Sequence, residues 1–253
     1  MNSPSRPTPL LMRRLTMVVL AIGTAAAVTG LSIPTPAVAA EEARAVSGFQ
    51  AVALEGSVTV KVELAEKESV RVSADGQGAD TVETLVETRK GVPTLVIRHT
   101  GSWFSRKADA VVTVQGPAFK ALGVAGSGRM EALLSNQPSL LLMMAGSGDL
   151  NVKGVTAHQI DVNVAGSGDV RVQGAAQNLS VNVAGSGDAW LEQLEAEDVR
   201  VSVAGSGDAR VNARQRLQVS VAGSGDVRYT GPVKDVTTRV VGSGTVKREE
   251  RGR

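Results

Sequence analysis

Apolar and polar residues alternate through the second half of the chain, and one short phrase, AGSG or VGSG, returns at regular intervals within the alternation. In "DVNVAGSGDVRV" one parity holds Val162, Val164, Gly166, Gly168, Val170 and Val172. The other holds Asp161, Asn163, Ala165, Ser167, Asp169 and Arg171. Successive strand residues face opposite sides, so the first set is expected inside and the second in water. The same parity recurs at Val181, Val183, Gly185, Gly187, Ala189 and Leu191, and at Val219, Val221, Gly223, Gly225, Val227 and Tyr229.

The first glycine of each phrase is Gly126, Gly146, Gly166, Gly185, Gly205, Gly223 and Gly242, at steps of 20, 20, 19, 20, 18 and 19 residues. A fixed period of this size marks a solenoid in which each repeat stacks on the last. The pattern predicts an all-β fold, a right-handed parallel β-helix with coils of 18–20 residues. Two short strands flank each phrase, and a variable polar loop such as "QGAAQN" or "NARQR" closes the coil. Both glycines of a phrase, the second being Gly128, Gly148, Gly168, Gly187, Gly207, Gly225 or Gly244, are expected to point inward at a bend. Regular coils span 119–246. Upstream, "FQAVALEG", "SVTVKVELAE", "SVRVSADG", "ETLVETRKG", "TLVIRH" and "AVVTVQGP" read as strands within 40–118. These form the first, irregular coils and cap one end of a single domain, 40–246; "KREERGR" at 247–253 is a charged tail.

The first 39 residues stand apart. Arg13 and Arg14 precede an apolar run, Leu15 to Ile33, and an A-x-A site at Ala37 to Ala39, the form of a secretory signal peptide cleaved near Ala40. A retained N-terminal anchor is the alternative. Cleavage leaves an exported chain of about 210 residues, in the periplasm or at the surface, with no later apolar run that spans a bilayer.

Composition narrows the chemistry. Cysteine is absent, which excludes disulfides and thiolate zinc sites. His99 and His158 have no ligand spacing, and no cofactor is implied. With a net charge of +2 and 2% aromatic residues, neither a basic stripe nor aromatic interleaving points to nucleic acid. The core must be built from Val, Ala, Leu and Ile.

Taken in order, "GFQAVALEGSVTVKVE", "SVRVSADG", "GVPTLVIR", "AVVTVQGPAFKALGVAGSG" and the later GSG coils resemble the putative auto-transporter adhesin head GIN domain family, over nearly the whole exported chain. The resemblance implies a β-helix in secreted or envelope proteins, mostly without an assigned activity. Only "VKREERGR" follows the last coil, so an adhesin role calls for display other than by a C-terminal barrel.

Asp149, Asp169, Asp188, Asp208 and Asp226 share one position in five successive repeats. Stacked carboxylates repel or hold cations, and calcium takes such oxygen ligands. Arg171, Arg210 and Arg228 stand two residues further on, and Arg129 with Glu131 reverses the charges, so the pattern is read first as a solvated charge ladder. Trp190 takes the arginine position in its repeat, between Arg171 and Arg210, as a cation–π stack or a sugar platform. Leu141 and Met143 occupy the outward parity, and Trp103 and Phe104 lie in a separate loop; the four form a partner patch, or the loop folds over the other two. The serines lack a nearby histidine and the G-x-S-x-G elbow, so they read as turn residues. These features favour a non-enzymatic protein that binds or scaffolds an envelope or surface ligand, protein or glycan, with oligomers possible. The alternatives are a carbohydrate-active β-helix enzyme, which needs irregular carboxylates in a groove, and a structural envelope protein.

Overall fold

Stacked columns of aliphatic inward residues dominate the structure, a computed structural model that describes residues 40–74, 76–100 and 110–250. The proposed signal segment and the Trp103–Phe104 loop lie outside these residues. Seven strands come first: β1 (Ala40–Arg44), β2 (Ala51–Gly56), β3 (Thr59–Leu64), β4 (Ser69–Ala74), β5 (Val82–Arg89), β6 (Val92–His99) and β7 (Val111–Gly116), with a 3₁₀ turn at Gly76–Thr81. Then follow β8 (Ala121–Gly126), β9 (Arg129–Leu133), β10 (Asn136–Gly146), β11 (Asp149–Gly166), β12 (Asp169–Gly185), β13 (Ala189–Gly205) and β14 (Ala209–Gly223). β15 (Val227–Thr230) and β16 (Asp235–Gly242) form the last full coil, and β17 (Val246–Arg248) begins another on β15. From β8 and β9 onward all neighbours are parallel, which is a parallel β-helix.

The register follows the repeat. Ile160, Leu179, Val199 and Leu217 form one inward column, and Val162, Val181, Val201 and Val219 form the next. All are buried. Burying such a side chain fully contributes about 1.5–3 kcal/mol, and a narrow aliphatic core collects that gain rung by rung.

The corners refine the sequence reading in two ways. The first glycine does not point inward: Gly166 is exposed and has φ +121°, and the same conformation, φ +121° to +133°, recurs in all seven copies. Only the second glycine is turned in, and Gly168 is buried. A Cβ on Gly168 would lie 2.5 Å from the Gly148 carbonyl oxygen and 2.8 Å from the Met144 sulfur. The chain therefore turns with a positive φ at the first glycine and passes against the rung below at the second. Between them, the serine amide donates to the first glycine of the preceding rung, as in Ser167 N–H to Gly146 O at 2.8 Å and Ser186 N–H to Gly166 O at 2.9 Å.

The stretches expected to close the coils as loops are strand. β12 runs unbroken from Asp169 to Gly185, and its buried residues step from Val172 to Ala176 to Leu179, which marks two bends. Ladder shifts at Val152/Val155, Arg171/Gly174 and Leu191/Glu195 are bulges that absorb the differences in repeat length. Backbone groups there remain in the sheet, so polarity in the sequence reports a solvated strand face and not a loop.

The N-terminal half departs from chain order. β2 lies between β6 and β8, and β3 between β7 and β9, so the first coil of the chain is the second in the stack. The segment from β7 to β8 must climb two rungs. Buried Phe119 fills that step against Phe49 (ring centroids 6.5 Å apart), and its amide donates to the buried Gln137 side chain at 3.1 Å. Beyond β6 and β7 the sheet changes sense: β5 pairs antiparallel with β6, β4 with β7, and β1 with β4. This is the cap expected from the irregular strands, made by reversing direction.

On the outer face of the cap Arg98 bonds Glu55 (2.7 Å) and Glu87 (3.1 Å), and Arg89 bonds the same two carboxylates (2.7 and 2.9 Å). Arg98 foremost, then Arg89, holds Glu55 below its ordinary 4.5, and Arg89 foremost does so for Glu87. At the far end the expected tail begins too early, since β17 pairs with β15 and the Glu249 amide donates to Tyr229 O. Residues 251–253 lie outside the described residues.

Two outcomes follow from this packing. Gly168→Val is expected to lower stability by at least about 1–3 kcal/mol, whereas Ser167→Ala, which keeps the bonded amide, should melt close to wild type; equal melts of the two variants would refute the corner geometry. A lowered carboxylate stabilises the fold fully above its ordinary value and loses that contribution as pH falls through the lowered one. The melting temperature should therefore hold from neutrality to about pH 5 and decline below about pH 4, and Glu55→Gln should flatten the decline. A loss of stability already complete at pH 5 would contradict the ion-pair cap.

Candidate functional site

The outward residues that follow each corner form the most regular polar array of the molecule. Cα register places Asp149 beside Asp169, and Arg171, Trp190, Arg210 and Arg228 one above another. The carboxylates divide into two groups. Asp149 pairs with Arg129 (3.0 Å) and Arg171 (3.7 Å), and Asp169 with Arg171 (2.9 Å). Asp188 and Asp208 instead accept the backbone N–H of the aspartate one rung up, each at 2.9 Å, and Asp226 accepts the Thr245 amide at 2.9 Å. The Thr245 hydroxyl donates to the same oxygen (2.7 Å) and, with that amide, holds the Asp226 carboxyl below its ordinary 3.8.

The division has a local cause. In the early coils the aspartate amide donates to the second glycine below, as in Asp169 N–H to Gly148 O. From Gly187 onward the second glycine's own amide takes the first-glycine carbonyl, as in Gly187 N–H to Gly166 O. The Asp208 and Asp226 amides thus take a different acceptor, the carboxylate of the rung below. Such a charge-assisted bond is stronger than a neutral one. Sequence spacing did not reveal this role, because an aspartate that caps an amide and one that pairs with arginine read alike.

Trp190 is covered on both faces. The Arg210 guanidinium lies 4.3 Å and that of Arg171 5.8 Å from its ring centroid. A sugar ring has no open face to stack on, which leaves the cation–π column as the role the geometry supports. The indole N–H and one Glu192 oxygen are buried without a hydrogen-bond partner, beside a depression of about 250 Å³ that Gln173 and Gln193 also line. Arg228 reaches Glu249 at 3.5 Å.

On another wall of the coil, Leu141 is half-buried and Met143 is 40% exposed, flanked in register by Gly123 and Asn163. The missing side chain at Gly123 gives Met143 its seat, 3.7 Å from the place a Cβ would occupy. Their proposed companions Trp103 and Phe104 lie outside the described residues. Leu133, 62% exposed, is a further outward apolar side chain that the alternation did not single out. Further along the wall, Asp198 is clasped by Arg216, which holds its carboxyl low, and a shallow depression of about 510 Å³ includes Asp161, Arg200 and Asp235. His99 packs at the Gly56 corner, and the His158 carbonyl accepts from Asn178 at 3.4 Å. Among the described residues no three His, Asp or Glu side chains gather as a metal site, and no helix is long and apolar enough to cross a membrane.

Known proteins share this architecture. A putative adhesin from Bacteroides fragilis superposes with a TM-score of 0.73 at 21% identity, covering 83% of this chain and 96% of its own. A putative adhesin from Parabacteroides distasonis gives 0.63 at 22% identity, with 83% and 96% covered. A putative lipid binding protein from the same species gives 0.62 at 22% identity, with 85% and 98% covered. At these identities the likeness is one of fold. No curated protein matches the sequence. The family model described as "Putative auto-transporter adhesin, head GIN domain" matches residues 48–233, from the buried Phe49 to the turn between β15 and β16, and the chain belongs to that family.

Proposed function

We propose that this is an exported, non-enzymatic binding module of the bacterial envelope, adhesin-like, that engages a protein or glycan through its outer walls. The observation that carries the reading is the periodic outer surface, on which charges are spent on their rung neighbours instead of converging on one point. Asp149, Asp169 and Asp198 are bound to arginines, and Asp188, Asp208 and Asp226 to backbone amides. A general acid or nucleophile needs a carboxylate or hydroxyl aimed at a substrate, whereas a wide, repetitive wall suits attachment over an area. Family membership supports the same reading.

Within the wall, Leu141 and Met143 stand where the next rung has the polar pair Asp161 and Asn163, and are the anchor we assign to the ligand. An exposed apolar residue in a polar surround contributes more to binding than the polar rim around it. Purified chain should bind saturably to arrayed glycans or to immobilised envelope protein. Met143→Asp should weaken that binding by about tenfold or more without changing the melt. Binding indifferent to this substitution would refute the anchor, and release of new sugar ends from polysaccharide would refute the non-enzymatic reading.

A further inference from the structure

The two ends of the stack are finished differently. At one end the cap strands run antiparallel to the coils. At the other, β16 pairs only with β14, and its opposite edge carries no bond among the described residues. Every residue of β16 is exposed. Val236 and Val240 continue the inward columns of Leu217 and Val221, yet they are 42% and 41% exposed, because no further rung among the described residues covers them. Outward Val241 is 60% exposed. The strand "DVTTRVVG" is rich in β-branched residues and carries no proline, bulge or lysine that would blunt its edge.

From this edge we infer that β16 is an interface between two copies of the chain, joined end to end as one continuous sheet. The occupant is identified by the strand's own charge pattern. Antiparallel pairing of β16 with its copy about a two-fold axis through Thr237 sets Asp235 opposite Arg239 of the second copy, and Arg239 opposite its Asp235. The same register sets Val236 opposite Thr238, both of inward parity, so the two cores meet with matching faces. Sliding by two residues in either direction, the smallest slide that keeps the faces aligned, loses the charge match: Arg239 then faces Thr237 or Val233. Arg239 has no ion pair among the described residues, and Asp235 sits beside Arg216, which Asp198 already clasps. A two-fold contact presents the same patch from both partners and closes at the dimer. The antiparallel cap strands make the opposite end unlike this one, so the pairing does not propagate into a fibre.

The test is sedimentation of the full chain, expressed with its own N-terminal segment, from about 1 to 100 μM, the range over which micromolar self-association is read. A concentration-dependent dimer is expected. Arg239→Asp turns two opposite-charge pairs into two like pairs and should raise the dissociation constant by about tenfold or more. The exchange Asp235→Arg with Arg239→Asp should recover the dimer, which a merely structural role of either residue would not. Circular dichroism and the melt of each variant check that the coils remain folded. A monomer throughout the range, or a dimer that ignores both the reversal and the exchange, overturns the inference.

Discussion

The interaction on which the rest depends is the bond from each corner serine amide to the first glycine carbonyl one rung below. It requires two bare Cα atoms. The first glycine adopts a φ that other residues avoid, and the second lets two backbones pass where a methyl group would meet a carbonyl oxygen. Once that bond forms, both flanking strands are in register, and with a side-chain period of two the valines of one parity face the core while the charges face water. A slip of one residue would invert the whole rung. Repetition at nearly the same spacing therefore serves alignment, and the conservative aliphatic core follows from it.

This makes clear why some features were legible in the sequence and others were not. Val162, Val164, Val170 and Val172 announced their burial by parity alone, and the corner column at Gly126 to Gly242 announced the coil. The order of the N-terminal coils could not be read the same way. Strands such as "AVALEG" and "TLVIRH" present similar edges to any parallel neighbour, so their stacking is decided by the two-rung step at Phe119 and by the bond from its amide to Gln137. One clue existed: Gly56 and Ser57 repeat the opening of the GSG corner, and Gly56 O accepts the Ser127 amide. The polar stretches read as loops failed for a related reason. Outward strand residues and loop residues are equally polar, and only the ladder distinguishes them.

The candidate surface was legible in type more than in detail. Register brought Arg171, Trp190 and Arg210 together as the repeat implied, while the later aspartates turned out to serve their neighbours' amides. A solenoid of this kind offers wide, regular walls on rigid strands, so outward residues can change with little effect on the core. Its exposed ends are the exception. There the same backbone groups that align the rungs remain available, and they must be either capped or used.

The central claim, that corner amides are locked between rungs, is tested most directly by residue-resolved hydrogen exchange at Ser147, Ser167, Ser186, Ser206 and Ser224. Their side chains are exposed, so protection can arise only from the bond each amide makes to the glycine below. Exchange as slow as that of the neighbouring strand amides at Val164 and Val183 is the predicted result. Exchange at the rate of an open turn, with those valines still protected, would contradict it.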